Sequence, residues 1–263
     1  MRARFASLAA AGVALASTAA GHMEMKNPPS RLSKWSPYDN YKTIDYDNNA
    51  PLEADGSNFP CKKYKSKGIV ATIKAGSTLP VELYGTAPHS GGHCQFSVSY
   101  DGEKNFVVLK TIVHDCMRPE GGGLTPSVQV PADLPPCASC VFAWTWINAV
   151  GNREYYMNCA DVKIESSAKG SFTGPALTIA NLPGYPTVPE FPKSGDPDLH
   201  EIFDHDGKIT ISASGAVSKS GTPISQSAFG KTKKGKDDND KDSGSSGSSK
   251  SKKTKKKKKK NKC

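Results

Sequence analysis

Among the six histidines of this 263-residue chain, one stands where it can do what an internal residue cannot. It is His22, in the stretch STAAGHMEM from Ser17 to Met25. If the chain is cut between Gly21 and His22, the new terminus offers two nitrogens on one residue. These are the α-amine and the ring Nδ1, which together close a chelate. One further imidazole completes a T-shaped set of three nitrogens, an arrangement that suits Cu(II), the strongest binder among the first-row divalent metals. The amine has an ordinary pKa of about 7.7–8.0 and must lose its proton to bind. The uncleaved chain cannot form such a site.

Candidates for the second imidazole are His89, His93, His114, His200 and His205. His89 lies in GTAPHSGGHCQF, where Gly85, Gly91 and Gly92 mark a loop between two strand-like runs. Glycines beside a ligand let metal and substrate approach the backbone closely. His93 abuts Cys94 at a strand start and reads as a neighbour, not a ligand, although it stands four residues from His89 and could compete for the metal. A third feature is GNREYYMNCADVKI. With a strand period of two, Glu154, Tyr156 and Asn158 share one face, and Tyr155, Met157 and Cys159 the other. A carboxylate two residues before a tyrosine can flank an open metal position; the plainer alternative is an edge-strand pair with Glu154 in solvent and Tyr156 packed. The stretch DPDLHEIFDHD, from Asp196 to Asp206, carries His200 and His205 among carboxylates. It lacks the spacing of a calcium loop and reads as a surface turn leading into KITIS.

The elements around these residues decide whether such chemistry is available. Arg2 and Arg4 precede an apolar, small-residue run ending in Ala19-Ala20-Gly21, the pattern of a secretory signal peptide over residues 1–21. The run is too short to span a bilayer. Cleavage after Ala20 is the alternative to cleavage after Gly21. Export agrees with the seven cysteines. Six of them (Cys61, Cys94, Cys116, Cys137, Cys140 and Cys159) lie in the folded-looking region and allow about 15 pairings. The pairs expected are Cys94 with Cys116, Cys137 with Cys140, and Cys61 with Cys159. A redox or zinc role for Cys137-Ala-Ser-Cys140 is the competing reading, weakened by the lack of a second such pair. Cys263 is the odd cysteine.

The net charge of +10 is unevenly placed. Residues 213–263 hold sixteen lysines against four aspartates, so the segment 22–212 is mildly acidic. The 213–263 segment, rich in Ser, Gly and Lys, is expected to be a disordered basic tail, either solubilising or a tether to an anionic wall. No apolar segment follows it that would signal a lipid anchor. Between leader and tail, residues 22–212 make one domain. Runs over 68–74, 78–84, 94–100, 105–112, 127–130 and 141–147 are rich in β-branched and aromatic residues and are punctuated by Gly, Pro, Asn and Asp. They predict an all-β antiparallel sandwich. The Pro-rich stretches NPPSR and NLPGYPTVPEFPKSGDPD read as long surface loops.

HMEMKNPPSR after a signal, GTAPHSGGHCQFSVSYD, FAWTWINAVGNREYYMNCADV and GPALTIANLPG together resemble the fungal lytic polysaccharide monooxygenases of auxiliary activity family 11, from His22 to about Pro192. The resemblance implies a fibronectin III- or immunoglobulin-like sandwich, one copper ion, and oxidative cleavage of chitin with an external electron donor and O2 or H2O2. It implies His22 and His89 as copper ligands, with Tyr156 in the axial position, Ala87 crowding the opposite side and Glu154 near the oxygen-binding side. Glu154 and Tyr156 are the candidate catalytic residues. His93 and His114 depart from the small residues expected there, and the lysine tail stands where a carbohydrate-binding module is found in other chains. The implied protein is a secreted monomer that meets polysaccharide rather than nucleic acid. Two other functions fit the same residues: a non-catalytic copper-binding surface protein, and a chitin or cell-wall adhesion protein.

Overall fold

A computed structural model describes residues 22–193 and 195–222. The leader and the lysine-rich end of the chain, with Cys263, lie outside the described residues. The described elements are β1 (Met23–Asn27), β2 (Ala71–Lys74), β3 (Thr78–Pro80), β4 (Glu82–Gly85), β5 (Gly92–Ser99), β6 (Val107–Ile112), β7 (Ser127–Gln129), β8 (Cys137–Asn148), β9 (Tyr155–Glu165), β10 (Ser171–Pro175), β11 (Lys208–Ser212) and β12 (Val217–Ser220). Helical structure among the described residues is limited to three short 3₁₀ turns.

The central sheet has the order β2-β9-β8-β5-β6. Its middle strand reads CASCVFAWTWIN, apolar on both faces, as a strand covered on both sides should be. Phe142, Trp144 and Trp146 face one core with Phe96, Tyr156, Met23, Met25 and Leu83. Val141, Ala143 and Ile147 face a second core with Tyr155, Met157, Leu182, Val188, Phe191 and Ile202. A layer built from β1, β3, β4 and β7 closes the first core, making the β-sandwich. Long loops cover the other face. The Pro-rich segment expected to run over the surface thus forms a loop but buries Val188 and Phe191 completely.

The run expected over 78–84 is broken at Val81, beside Pro80. Its first part pairs with β7 and its second with β1. The β2–β9 pair is parallel, an exception in an otherwise antiparallel fold. Strand pairing also passes residue 212, where the domain was expected to end: β12 pairs antiparallel with β11 through Val217 to Ser220. Its alternating polar sequence gave little sign of a strand. The three disulfides are the expected pairs, Cys61–Cys159, Cys94–Cys116 and Cys137–Cys140. The first ties the covering loop to β9, and the second ties the start of β5 to the chain beyond β6.

Candidate metal centre

His22 immediately precedes β1, which pairs antiparallel with β4 so that Met23 stands opposite Gly85. A Cβ on Gly85 would lie 2.1 Å from the His22 carbonyl oxygen, so only glycine allows this approach. On the other edge of β1, the Met23 amide donates to the Asn49 carbonyl at 3.1 Å and the Met25 amide to Asn158 Oδ1 at 2.8 Å. Asn158 lies two residues along β9 from Tyr156. The expected shared face of Tyr156 and Asn158 is therefore the face on which β1 lies.

His89 comes from a loop of very different construction. His89, Ser90, Gly91 and Gly92 all have positive φ, at 45°, 57°, 96° and 144°. The left-handed region costs a non-glycine residue about 1–2 kcal/mol, so neighbours must hold it. The His89 carbonyl accepts from the Val150 amide at 3.1 Å, and the Ser90 carbonyl from Arg118 Nε at 2.5 Å. The Gly91 carbonyl accepts from Trp146 Nε1 at 3.2 Å and the Ala149 amide at 3.0 Å. The Gly92 carbonyl accepts from Cys116. The His89 ring lies 5.6 Å from Trp146, and a Cβ on Gly151 would stand 3.1 Å from its Nδ1. Its Nε2 is buried and has no hydrogen-bond partner among the described residues.

Trp146 joins the two sides. It pairs with Tyr156 across β8 and β9, and their ring centroids are 4.5 Å apart. Tyr156 is 1% exposed, and its hydroxyl donates to Glu154 Oε2 at 2.7 Å. Burial first, then the adjacent carboxylate, push this hydroxyl well above the usual phenol range, so it keeps its proton. The Glu154 main chain is fixed by Asn148 Oδ1, which accepts from its amide at 3.3 Å, and by Asn181 Nδ2, which donates to its carbonyl at 2.8 Å. Ala87 lies half-buried two residues before His89.

A copper brace needs two imidazoles and one main-chain amine. Among the described residues no group of three or more His, Cys, Asp or Glu side chains is placed to hold a metal. A brace does not require one. The buried, unpaired Nε2 of His89 is the donor such a brace would use, because an imidazole nitrogen is left without a partner at a cost unless something binds it. The residues fit copper.

No protein-family model matches the chain. It is 41% identical over 181 residues to AA11 family lytic polysaccharide monooxygenase A of Aspergillus fumigatus, covering 65% of this chain and 79% of that relative. The chain belongs to the AA11 family of lytic polysaccharide monooxygenases. AA11 family lytic polysaccharide monooxygenase B of Aspergillus fumigatus is 31% identical over 79% of this chain, and a family member from Aspergillus oryzae 32% over 77%. The chain spans about half the length of these two, 55% and 52%. Among solved structures, a cellulose-active polysaccharide monooxygenase from M. thermophila is similar at 16% identity over 46% of this chain and 64% of that one, with a TM-score of 0.37. That likeness is too distant to add to the architecture above.

Within this AA11 chain the remaining histidines are committed elsewhere. His93 is 1% exposed; its Nδ1 accepts from the His114 amide at 2.8 Å, which leaves Nε2 to donate to the Asp198 carbonyl at 2.8 Å. Its ring stacks on Phe191 at 4.6 Å. Both nitrogens are used, so it does not compete for a metal. His114 contacts Asp115, Arg118 and the Lys193 carbonyl. His200 pairs with Asp198, and His205 Nε2 with Thr178, while His205 Nδ1 is, like His89 Nε2, buried without a hydrogen-bond partner among the described residues. The sequence reading missed Arg118 and Trp146. Trp146 was legible in part, since FAWTW puts two tryptophans on one strand face. Arg118 carries no local signal, because it reaches a loop 28 residues away.

Proposed function

We propose that this AA11 chain is a secreted, copper-dependent lytic polysaccharide monooxygenase that cleaves chitin oxidatively. The observation that carries the reading is the buried, unpaired His89 Nε2 beside Trp146, whose ring pairs with Tyr156 in the core that also holds Met23 of β1. Removal of residues 1–21 supplies the His22 amine and Nδ1, and His89 supplies Nε2, to one copper ion. When held there, copper would supply the redox chemistry for oxidising the polysaccharide, with an external electron donor and O2 or H2O2.

The chain's own residues set the conditions for that chemistry. Tyr156, a protonated phenol, would offer copper at most a weak oxygen donor from the protein side. Glu154 holds the Tyr156 proton at one oxygen and brings acid–base capacity to the rim of the site. Ala87, half-buried two residues before His89, would limit access to the copper with its small side chain.

The test is mass spectrometry of the products from chitin incubated with the His22-terminated protein, copper, a reductant and H2O2. Oxidised oligosaccharides are expected, and their disappearance with His89→Ala. Copper binding with little reductant-driven peroxide and no oxidised products would favour a copper-binding surface protein. Tyr156→Phe is expected to keep copper but change its paramagnetic resonance spectrum; an unchanged spectrum removes Tyr156 from the site.

A further inference from the structure

We propose that Asn158 is a positioning residue that sets where His22 stands, and hence the geometry of the amine and Nδ1. The inference rests on the copper reading given above. The core face of β9 carries Tyr156, Ala160, Val162 and Ile164, all packed in the first hydrophobic core. Asn158 belongs to the same face, is 4% exposed, and is the polar member of the series. A primary amide in that position is costly unless its bonds are made. They are made across the sandwich, to the opposite layer. Oδ1 accepts the Met25 amide at 2.8 Å, and Nδ2 donates to the Asn48 carbonyl at 3.1 Å and Asn48 Oδ1 at 3.3 Å.

Asn48 is in turn anchored. Its Nδ2 donates to Ser30 Oγ at 3.0 Å, and its carbonyl also accepts from Lys62 Nζ at 3.0 Å. The next residue, Asn49, receives the Met23 amide. One chain of contacts therefore runs from β9 through Asn158, Asn48 and its neighbour Asn49 to the Met25 and Met23 amides, both on the edge of β1 away from β4. Pairing with β4 does not secure this alone, because the β1–β4 register shifts between Met25 and Asn27. The precision needed is high. A one-residue slip of an extended strand moves its end by about 3.3 Å, whereas metal–nitrogen distances hold to within about 0.2 Å.

Two variants separate positioning from mere stability. Asn158→Leu removes both bonds and suits the apolar face. Asn158→Asp keeps the acceptor for Met25 but loses the donors to Asn48. In Asn158→Leu, the Cu(II) Kd is expected to rise about 10- to 100-fold, the size typical of lost outer-shell support. The paramagnetic resonance spectrum should change, and amide exchange at Met23 and Met25 of the metal-free protein should accelerate at least about tenfold. Asn158→Asp should be less stable yet keep a near-native copper spectrum. A folded Asn158→Leu protein with native Kd, spectrum and Met25 exchange overturns the proposal, as does an Asn158→Asp protein whose copper affinity falls in step with its stability. If the native protein binds no copper, the functional reading fails, and Met25 exchange alone then decides whether Asn158 positions the strand.

Discussion

The strand that delivers His22 is extended, unstrained backbone whose placement is imposed from outside by Asn158, Asn49 and the bare Cα of Gly85. The segment that delivers His89 is a run of four left-handed residues with each carbonyl captured by a neighbour. The first device leaves a chain end that can move if one support is lost. The second is built into the central sheet through Trp146, Ala149 and Val150, so it cannot move without disturbing β8 or the turn after it. In the proposed copper site, a brace between them would join a rigid ligand to an adjustable one. The terminal residue is the one whose geometry tolerates tuning and the one most easily lost.

Matched glycines give the sharpest way to break this contrast. A Cβ on Gly92 would lie 2.1 Å from the Ile147 carbonyl and 2.6 Å from Trp146 Nε1, at φ 144°. Gly92→Ala is expected to destabilise the fold by about 3 kcal/mol or more in urea unfolding, since neither β8 nor the loop can yield. Gly85→Ala meets a contact equally close, but against the His22 carbonyl at a chain end. It should cost only about 1–2 kcal/mol of stability while weakening copper binding at least tenfold by titration calorimetry. Equal stability losses in the two variants would erase the distinction between the sides.

A smaller effect is expected at Arg118, whose Nε holds the Ser90 carbonyl and whose Nη2 reaches the Pro192 carbonyl at 3.2 Å. Arg118→Ala should raise the copper Kd about tenfold or less, because the carbonyls of His89, Gly91 and Gly92 keep their hydrogen bonds and still hold the loop. The least effect is one of pH. Burial pushes the His93 imidazole below its ordinary range, so the unfolded chain binds more protons near and below pH 6.5. Stability should therefore fall as pH drops through that value, by at most about 1.4 kcal/mol per unit for one group. In His93→Gln the fall should be shallower but not abolished, because burial also pushes His205 down. An unchanged slope would show that His93 is protonated in the fold.

Much of the sandwich was legible because β5, β6, β8 and β9 carry continuous apolar or alternating runs that only a sheet buries. β1 and β12 were not. Five residues, MEMKN, are too few for a period to emerge, and β12 packs edge-on with exposed polar side chains. Within the proposed site, His22, His89, Glu154 and Tyr156 were named from local motifs, and strand alternation put Glu154 and Tyr156 on one side without giving the hydrogen bond between them. The supports could not. Asn158 reaches Met25 across 133 residues and Arg118 reaches Ser90 across 28, contacts that exist only once both layers are in place. His93 looked like a possible competitor until the fold supplied Asp198 and the His114 amide to its two nitrogens.

The proposed site joins a histidine amine freed by cleavage and one loop imidazole around a single copper. It is tested most directly by titrating Cu(II) into two proteins, one starting at His22 and one retaining Gly21, with paramagnetic resonance as the readout. One tight copper with a three-nitrogen spectrum is expected for the first, and binding at least about a thousandfold weaker for the second, in which the amine is a peptide nitrogen. Equal affinity and identical spectra from both would contradict it.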